Sequence, residues 1–279
     1  MYKNNNSKKY NKDSKKREFY ASKPKPVREV NDEEQSSNIV CGRNAVHELL
    51  KSGRSVDKLF VRRGDREGSI TMIVAEAIAA KIPVIEVDKA KIDALAEGAN
   101  HQGVVAMAAA KEYVSIDEIL DIAKERGEKP FIVIADEIAD PHNLGAIIRC
   151  AEGAGAHGLI IPKRRASGLT AVVDKSSAGA LEHLAIAKVP NLAAAIDELK
   201  EKGVWVYGAE ADGTPYYDTK FDSATAIVVG SEGDGISRLI REKCDFIISI
   251  PMYGNVNSFN VSCAAAVLLC EAARQMRGN

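Results

Sequence analysis

Short apolar runs alternate with amphipathic segments along most of the chain, and this alternation restricts the fold more than any other feature. The runs "FIVIA" (131–135), "AIVVG" (226–230) and "FIISI" (246–250) are rich in β-branched residues, as expected for buried strands. Segments with helical spacing lie between such runs, so strand and helix follow each other repeatedly. This order predicts an α/β fold in which a mostly parallel sheet is covered by helices on both faces.

The pattern divides the chain into four parts. Residues 37–110 form a first block of alternating short strands and helices, typical of a small α/β layer domain. Residues 111–130 connect it to a second block, 131–279, which carries the parallel sheet. Residues 1–36 lack the aliphatic content that a core needs. We therefore expect two folded domains, a partly helical connector and a disordered N-terminal tail.

The predicted tail is strongly basic. Residues 1–28 contain ten Lys and Arg residues and two acidic ones, whereas the whole chain has a formal net charge of −1. A basic arm of this kind suits a polyanion such as RNA, with binding that weakens as salt rises. A solubilising extension has the same composition, and the sequence leaves both interpretations open.

Composition disfavours several other classes of protein. The chain of 279 residues has no apolar run approaching ~20 residues, so we expect no transmembrane helix. The N-terminus lacks the apolar core of a signal peptide, which predicts a cytoplasmic protein. The five cysteines form no C-x-x-C pair and the five histidines are scattered, so we expect reduced thiols and no metal site.

Three segments that follow predicted strands contain candidate ligand-binding residues, because ligands of parallel sheets bind beyond the carboxyl ends of the strands. The first is "DPHNLGAIIR" (140–149). Asn143 is a suitable N-cap for a helix that begins at Leu144. Arg149 lies off the predicted buried stripe of that helix, and Gly145 leaves room one turn before it. The alternative to a role in ligand binding is that Asn143 is only a helix cap and Arg149 only a surface arginine. The predicted stripe consists of Leu144, Ile147, Ile148 and Ala151.

The second segment is the glycine-rich "VVGSEGDGIS" (228–237). Its glycines allow the backbone to approach a ligand, but the pattern is neither a P-loop nor a dinucleotide fingerprint. No lysine follows to hold phosphates, so a nucleoside without a triphosphate fits better. Glu232 is the carboxylate between these glycines, and it is either a ligand contact or an acid favoured by a helix N-terminus.

The third segment is "ISIPMYGNVNSFNVSCAAA" (248–266), where a strand leads through a polar loop into an apolar helix. Its polar side chains are more numerous than one helix cap requires, so we expect some of them to face a ligand. They are Asn255, Asn257, Ser258, Asn260 and Ser262.

Together the three segments resemble the motifs of the SpoU/TrmH family of RNA ribose 2′-O-methyltransferases, in the SPOUT superfamily. The resemblance covers residues 131–279. It extends to 37–109, where "GRNAVHELL" and "HQGVVA" look like the ribosomal-protein-like RNA-binding domain of longer members. One departure is Phe259, since the third motif of the family usually reads Ser-Leu-Asn.

The resemblance implies a fold and a site. The fold is a SPOUT domain with a deep trefoil knot, preceded by a small α/β RNA-binding domain. The cofactor is S-adenosylmethionine, and the implied assembly is a homodimer with sites near the subunit interface. The implied cofactor-binding residues are Gly230, Ile250 and Phe259. The implied polar catalytic set is Asn143, Arg149, Glu232, Ser258 and Asn260.

The implied reaction is attack of a ribose 2′-oxygen on a sulfonium methyl group, which requires no metal. The family proposal makes Arg149 the base. Because an arginine side chain stays protonated in proteins, we favour a charged Arg149 that grips an RNA phosphate and stabilises the developing alkoxide. Asn143, Ser258 and Asn260 would orient the reacting groups, and Glu232 would position Arg149 or fix its loop.

Two further groups are weaker candidates. His142 invites interpretation as a general base, but the resemblance assigns it no role. The basic turn Lys163, Arg164 and Arg165 leaves a predicted strand on the ligand side, where it would contact RNA phosphates or simply remain solvated.

The resemblance favours ribosomal RNA as the substrate, commonly a guanosine of 23S ribosomal RNA in the peptidyl-transferase region. Transfer RNA is the alternative substrate. A non-catalytic RNA-binding protein of the same fold is a second alternative, which the intact polar set argues against. A nucleotide-dependent oxidoreductase would need a dinucleotide fingerprint, which the sequence lacks.

Overall fold

The computed structural model describes residues 39–65 and 68–278, so the predicted tail 1–36 lies outside the described residues. The first described part has a four-stranded sheet in the order β1-β4-β2-β3, in which β2 and β3 are parallel and the other pairs antiparallel. Its strands are β1 (Ile39–Cys41), β2 (Val56–Arg62), β3 (Val84–Val87) and β4 (Val104–Ala108). Its helices are α1 (Arg43–Ser52), α2 (Ser69–Ala79) and α3 (Lys89–Leu95).

The helices of this part cover both faces of its sheet. Ile70, Ile73 and Ala77 of α2 are buried against Leu59 and Val61, as their spacing predicts. On the other face, the α3 side chain that is buried is that of Ile92. The predicted small α/β layer architecture is therefore present.

The connector carries helix α4 (Ile116–Glu125), which begins with a capping box. Ser115 Oγ accepts a hydrogen bond from the Glu118 N–H, and Glu118 Oε2 accepts one from the Ser115 N–H. Ile119 of α4 packs on Gly158, where a Cβ atom would lie 2.6 Å from Ile119 Cδ1. The connector is thus fixed to the second sheet by a contact that excludes any side chain at Gly158.

The second sheet has six parallel strands in the order β10-β8-β9-β5-β6-β7. Its strands are β5 (Phe131–Ala135), β6 (Gly158–Pro162), β7 (Ala185–Val189), β8 (Trp205–Pro215), β9 (Thr225–Val229) and β10 (Phe246–Ser249). Its helices are α5 (Pro141–Gly153), α6 (Ala171–Ser177), α7 (Leu192–Glu201), α8 (Arg238–Lys243) and α9 (Val261–Met276). Short 3₁₀ turns occupy Ala180–Glu182 and Tyr216–Asp218.

Alternate residues of each strand serve two separate cores. Val133 and Ile227 face α5 and α9 on one side, whereas Ile132 and Val228 face α4, α7 and α8 on the other. This two-sided burial explains why the strands read as continuous apolar runs rather than as alternating ones. The predicted parallel sheet with helices on both faces is confirmed. The implied knot stays a prediction, because strand order alone does not define how a chain threads.

An irregularity in β8 shapes the ligand side of the sheet. Ile247 of β10 pairs with Gly208, but the next residue, Ile248, pairs with Thr214. Residues 209–213 therefore bulge out of the ladder between β8 and β10.

Among the described residues, none of the helices combines the length and apolar character needed to cross a bilayer.

Candidate active site

A cleft of about 320 Å³ lies beyond the carboxyl ends of β8, β9 and β10. Its apolar lining includes Val229, Ile248 and Leu268, which belong to the sheet and to α9. The glycine-rich segment and the loop before α9 form its polar edge. Five of the predicted site residues line this cleft. They are Gly230, Glu232, Ile250, Ser258 and Phe259.

The glycine-rich segment is folded tightly back on itself. Ser231 and Gly235 exchange backbone hydrogen bonds of 2.9 and 3.1 Å. A Cβ atom at Gly230 would lie 2.1 Å from the carbonyl carbon of Gly235, so no side chain fits there. Gly233 has φ 104°, in the left-handed region that favours glycine. These glycines are therefore required by the turn itself, and the turn presents backbone to the cleft.

Two acidic residues that sequence analysis missed hold the end of this turn. Glu210 Oε1 accepts a 2.6 Å hydrogen bond from the Ile236 N–H, and Asp136 Oδ2 accepts a 2.8 Å bond from the Ser237 N–H. These N–H groups lie at the start of α8, where a helix needs acceptors. Glu210 reaches the turn because it lies in the bulge of β8. Asp136 follows β5 directly, and an acid at the end of a buried strand was the available signal.

A chain of side-chain hydrogen bonds joins the three predicted segments. Asn143 Nδ2 donates to Glu232 Oε2 across 3.1 Å, and Asn260 Nδ2 donates to Asn143 Oδ1 across 2.9 Å. The other end of Asn260 is also fixed, since its Oδ1 accepts a 2.9 Å bond from the Ser262 N–H as the N-cap of α9. Three residues distant in sequence therefore form one rigid polar unit.

The prediction that Asn143 caps its helix was wrong. Helix α5 begins at Pro141, and its N-cap is Asp140, whose carboxylate accepts a 2.9 Å bond from the His142 N–H. Proline favours the first helical position because its ring fixes φ and it needs no acceptor there. Asn143 is thus the third helical residue, and its amide is free to join Glu232 and Asn260.

The predicted room at Gly145 is filled rather than open. A Cβ atom there would lie 2.5 Å from Ser176 Cβ and 2.6 Å from the Val173 carbonyl oxygen, both on α6. Gly145 therefore permits two helices to pack closely. The predicted stripe of α5 is confirmed as buried, namely Leu144, Ile147, Ile148 and Ala151.

Arg149 lies apart from the cleft within one chain. It is exposed on α5, and at ~100° per residue its direction differs from that of Asn143 by about 120° around the helix axis. It lines a different cavity, between α1 and the turn after α6, together with His47 and His183. Among the described residues it makes neither a hydrogen bond nor an ion pair. Within one chain, Glu232 is hydrogen-bonded to Asn143 and not to Arg149. Of the two roles predicted for Glu232, fixing its loop agrees with this contact, whereas positioning Arg149 does not.

The weaker candidates take other positions. His142 Nδ1 lies 3.2 Å from Ser176 Oγ, at the exposed start of α5. Arg165 pairs with Glu137 at 3.1 Å, and its neighbours Lys163 and Arg164 are exposed. A role of this basic turn in RNA binding stays a prediction.

The electrostatics of the cleft restrict what it binds. Its described lining includes the carboxylates of Glu210, Glu232 and Asp234 and contains neither lysine nor arginine. Such a lining repels phosphate and favours a cationic ligand with apolar parts. Outside the lining of the cleft, burial and, to a lesser extent, Asp245 raise the pKa of Cys244, at the end of α8, to about 12.

Two family models match the chain. Residues 130–270 match the model described as the SpoU rRNA Methylase family. Residues 39–114 match the model described as RNA 2′-O ribose methyltransferase substrate binding.

Individual relatives agree with these matches. A Bacillus subtilis protein named TrmH family tRNA/rRNA methyltransferase YacO is 45% identical over 242 residues, which cover 86% of this chain and 97% of that protein. A Staphylococcus haemolyticus protein named as a TrmH family tRNA/rRNA methyltransferase is 47% identical, covering 85% of this chain and 95% of that protein.

Solved structures share the fold. The SpoU methyltransferase AviRb from Streptomyces viridochromogenes, in complex with AdoMet, superposes with a TM-score of 0.71 at 26% identity, over 86% of this chain and 91% of that chain. An AdoMet-bound rRNA methyltransferase from Sinorhizobium meliloti has a TM-score of 0.70 at 25% identity, over 86% of this chain and 88% of that chain.

Proposed function

The chain belongs to the SpoU rRNA methylase family, and we propose that it transfers the methyl group of S-adenosylmethionine to a ribose 2′-hydroxyl of ribosomal RNA. Membership makes it an RNA methyltransferase. The observation that carries the finer proposal is an apolar cleft, lined by carboxylates, whose edge holds the Asn143–Glu232–Asn260 unit.

The residues of the cleft fit the cofactor. S-adenosylmethionine supplies, when bound, an electrophilic methyl group on a positively charged sulfur. The carboxylates of Glu210, Glu232 and Asp234 favour a cation in this cleft, and no described lysine or arginine of its lining competes for them. The backbone of the tight turn around Gly230 offers hydrogen-bonding groups to a nucleoside. We propose that Gly230, Ile250 and Phe259 contact the nucleoside part of S-adenosylmethionine.

The polar unit prepares the site for an incoming ribose. Because Asn143 is hydrogen-bonded to both Glu232 and Asn260, these side chains need no rearrangement when the substrate binds. Ser258, exposed beside the cleft, adds a hydroxyl that accepts or donates a hydrogen bond. The ribose oxygen gains the methyl group as the bond from carbon to sulfur breaks, and its proton passes to water. Alignment is the main contribution of these residues.

Arg149 enters this site from a second copy of the chain. It is exposed, and it is remote in the helix from Asn143, so its own cleft does not use it. The loop of residues 253–260 is exposed throughout and carries apolar side chains, of which Tyr253 is 90% and Val256 67% exposed. A partner subunit that covers this loop would bury those groups and bring a guanidinium to the cleft. There Arg149 would hold an RNA phosphate and stabilise the alkoxide.

The extra domain supports the choice of RNA in this proposal. A separate substrate-binding domain suits a structured target, which is recognised by shape as well as by sequence. We therefore propose ribosomal RNA, with a guanosine of 23S ribosomal RNA as the target nucleoside and transfer RNA as the alternative.

The proposal is tested by mass spectrometry of nucleosides. Ribosomal and transfer RNA from cells that lack the gene are incubated separately with the protein and S-adenosylmethionine, then digested to nucleosides. We expect one 2′-O-methylnucleoside to appear in ribosomal RNA. Methylation of a base, or of transfer RNA alone, would contradict the proposal.

A further inference from the structure

The substrate-binding domain is held against the catalytic domain by a buried ionic contact. Arg54, just after α1, places Nη1 2.7 Å from Glu182 Oε1, and the two side chains are 11% and 1% exposed. Ser52 Oγ lies 3.2 Å from the second oxygen of the same carboxylate. Lys111, at the start of the connector, donates from Nζ to the Glu182 carbonyl oxygen across 3.0 Å. We call Arg54, Lys111 and Glu182 the junction.

The junction lies within a larger buried charge cluster. Asp174 of α6 is buried beside it, and burial followed by the neighbouring Glu182 raises the pKa of Asp174 to about 7. Burial also lowers the pKa of Lys111. Two carboxylates and two cations thus share a site with little water. Such groups add little net stability, but removal of one partner leaves its counterpart buried and uncompensated.

Close backbone contact supports the same arrangement. The turn after α6 has Gly179 at φ 97°, and a Cβ atom there would lie 2.7 Å from Glu48 Cβ of α1. His183 Nε2, after this turn, lies 2.8 Å from Glu48 Oε2. The two domains therefore meet at a position where a larger side chain would separate them.

The contact continues to the active site through α6. Helix α6 packs on α5 at Gly145, where Ser176 and Val173 leave no space for a side chain. Helix α5 carries Asn143 and Arg149. A continuous series of packed elements thus connects α1 of the substrate-binding domain to the polar unit at the cleft.

We infer that the junction fixes the substrate-binding domain in one orientation, so that Arg54 and Lys111 are positioning residues that determine which ribose of a bound RNA reaches the cleft. This inference rests on the proposed function for its consequence, but the orientation itself is measurable without RNA. The family match assigns neither residue such a part.

The orientation is tested first, with the full chain and no RNA. Arg54→Met removes the ion-pair partner of Glu182. Glu182→Gln, which keeps the shape of the side chain, is the second variant and is used if R54M does not fold. We expect trypsin to cleave after Lys111 at least about tenfold faster than in the wild type, because cleavage follows the population of the open form. Small-angle X-ray scattering should show a larger maximum dimension.

Arg62→Met is the matched control. Arg62 pairs with Asp65 at 2.7 Å within the same domain, so its loss breaks an ion pair without touching the junction. R62M should keep wild-type cleavage and scattering. Wild-type cleavage after Lys111 and wild-type scattering in a folded R54M or E182Q protein would overturn the inference.

The consequence is tested by mapping 2′-O-methylation at nucleotide resolution in ribosomal RNA from cells that lack the gene. We expect wild type to modify one ribose, and R54M to spread methylation over neighbouring riboses with a lower kcat/KM for RNA and an unchanged KM for S-adenosylmethionine. A general loss of stability would lower activity without spreading it. An opened R54M protein that modifies only the wild-type ribose at wild-type kcat/KM would overturn the inference. If the wild type methylates no ribose, the result contradicts the proposed function. The trypsin and scattering experiments still test the orientation of the domain, because they use no RNA.

Discussion

Asn143 Nδ2 donates a hydrogen bond to Glu232 Oε2 across 3.1 Å, although 89 positions separate the two residues in sequence. The bond joins the start of α5 to the glycine-rich turn. Asn260 completes the unit from the start of α9. Through these contacts, three loops at one edge of the sheet act as a single polar surface beside the cleft.

Loss of the Asn143 amide should impair catalysis more than stability. Asn143→Ala removes the link between Glu232 and Asn260, and we expect kcat to fall on the order of 100-fold, as when one preorganised hydrogen-bonding group is lost. Steady-state assays of methyl transfer measure this change in kcat. Asn191→Ala is the control, because it removes the N-cap of α7, far from the cleft, at a cost of about 1 kcal/mol. Equal loss of activity in both variants would argue against a catalytic unit.

The carboxylate of Glu232 should discriminate between a cationic and a neutral ligand. Glu232→Gln removes a negative charge from the cleft, so we expect S-adenosylmethionine to bind roughly fivefold more weakly, equivalent to about 1 kcal/mol. S-adenosylhomocysteine, which lacks the sulfonium charge, should bind almost as before. Isothermal titration of both ligands measures the difference, and equal weakening of the two would contradict the electrostatic account.

Asp174 should make stability depend on pH. Its pKa is raised by burial from the ordinary 3.8 to about 7, so its protonated form favours the folded state. Relative to Asp174→Asn, the free energy of unfolding of the wild type should be highest below pH ~4 and fall by roughly 2–4 kcal/mol as pH rises to ~7.

Denaturant unfolding at several pH values measures this difference between wild type and D174N. Arg54, Lys111, Glu182 and Cys41 surround Asp174 and are unchanged in the variant. Asp57→Asn, at an exposed position of β2, is the control and should follow the wild-type curve. Parallel curves for wild type and D174N would contradict the prediction.

Two glycines of α5 should respond oppositely to alanine. Gly145→Ala places a methyl group 2.5 Å from Ser176 Cβ, and we expect a loss of about 1–3 kcal/mol from forced separation of α5 and α6. Gly153, in the last turn, has no atom within 4 Å of an added Cβ. Gly153→Ala should be neutral or stabilise by up to about 1 kcal/mol. Thermal unfolding compares the two, and equal effects would contradict close packing at Gly145.

Periodicity and motif order were enough to predict the strands, the buried stripe of α5 and the approach of the three loops. Helical spacing predicted that Arg149 lies off the buried stripe of α5, but it did not reveal that this side of the helix lies away from the cleft of the same chain. The link from Asn143 to Glu232 was missed because Asn143 was predicted to cap the helix. Asp140 is the N-cap and the helix begins at Pro141, so the Asn143 side chain does not cap the helix and can bind Glu232.

Interactions that depend on tertiary register left no signal in the sequence. Glu210 reaches the glycine-rich turn through a shift in the pairing of β8 with β10. Arg54 and Glu182 read as ordinary surface charges, since charged residues are mostly exposed. These two side chains are buried because the two domains pack together, and the sequence around each residue does not indicate that contact.

The most direct test of the complete site uses a mixed dimer. Chains that carry Asn143→Ala and Arg149→Ala, each strongly impaired alone, are given different tags, coexpressed and purified as the heterodimer. If Arg149 of one copy serves the cleft of the other, one site is intact and methyl transfer to ribosomal RNA should recover to about half of the wild-type rate. Activity no higher than that of either variant alone, or a wild-type protein that is monomeric in solution, would contradict the account.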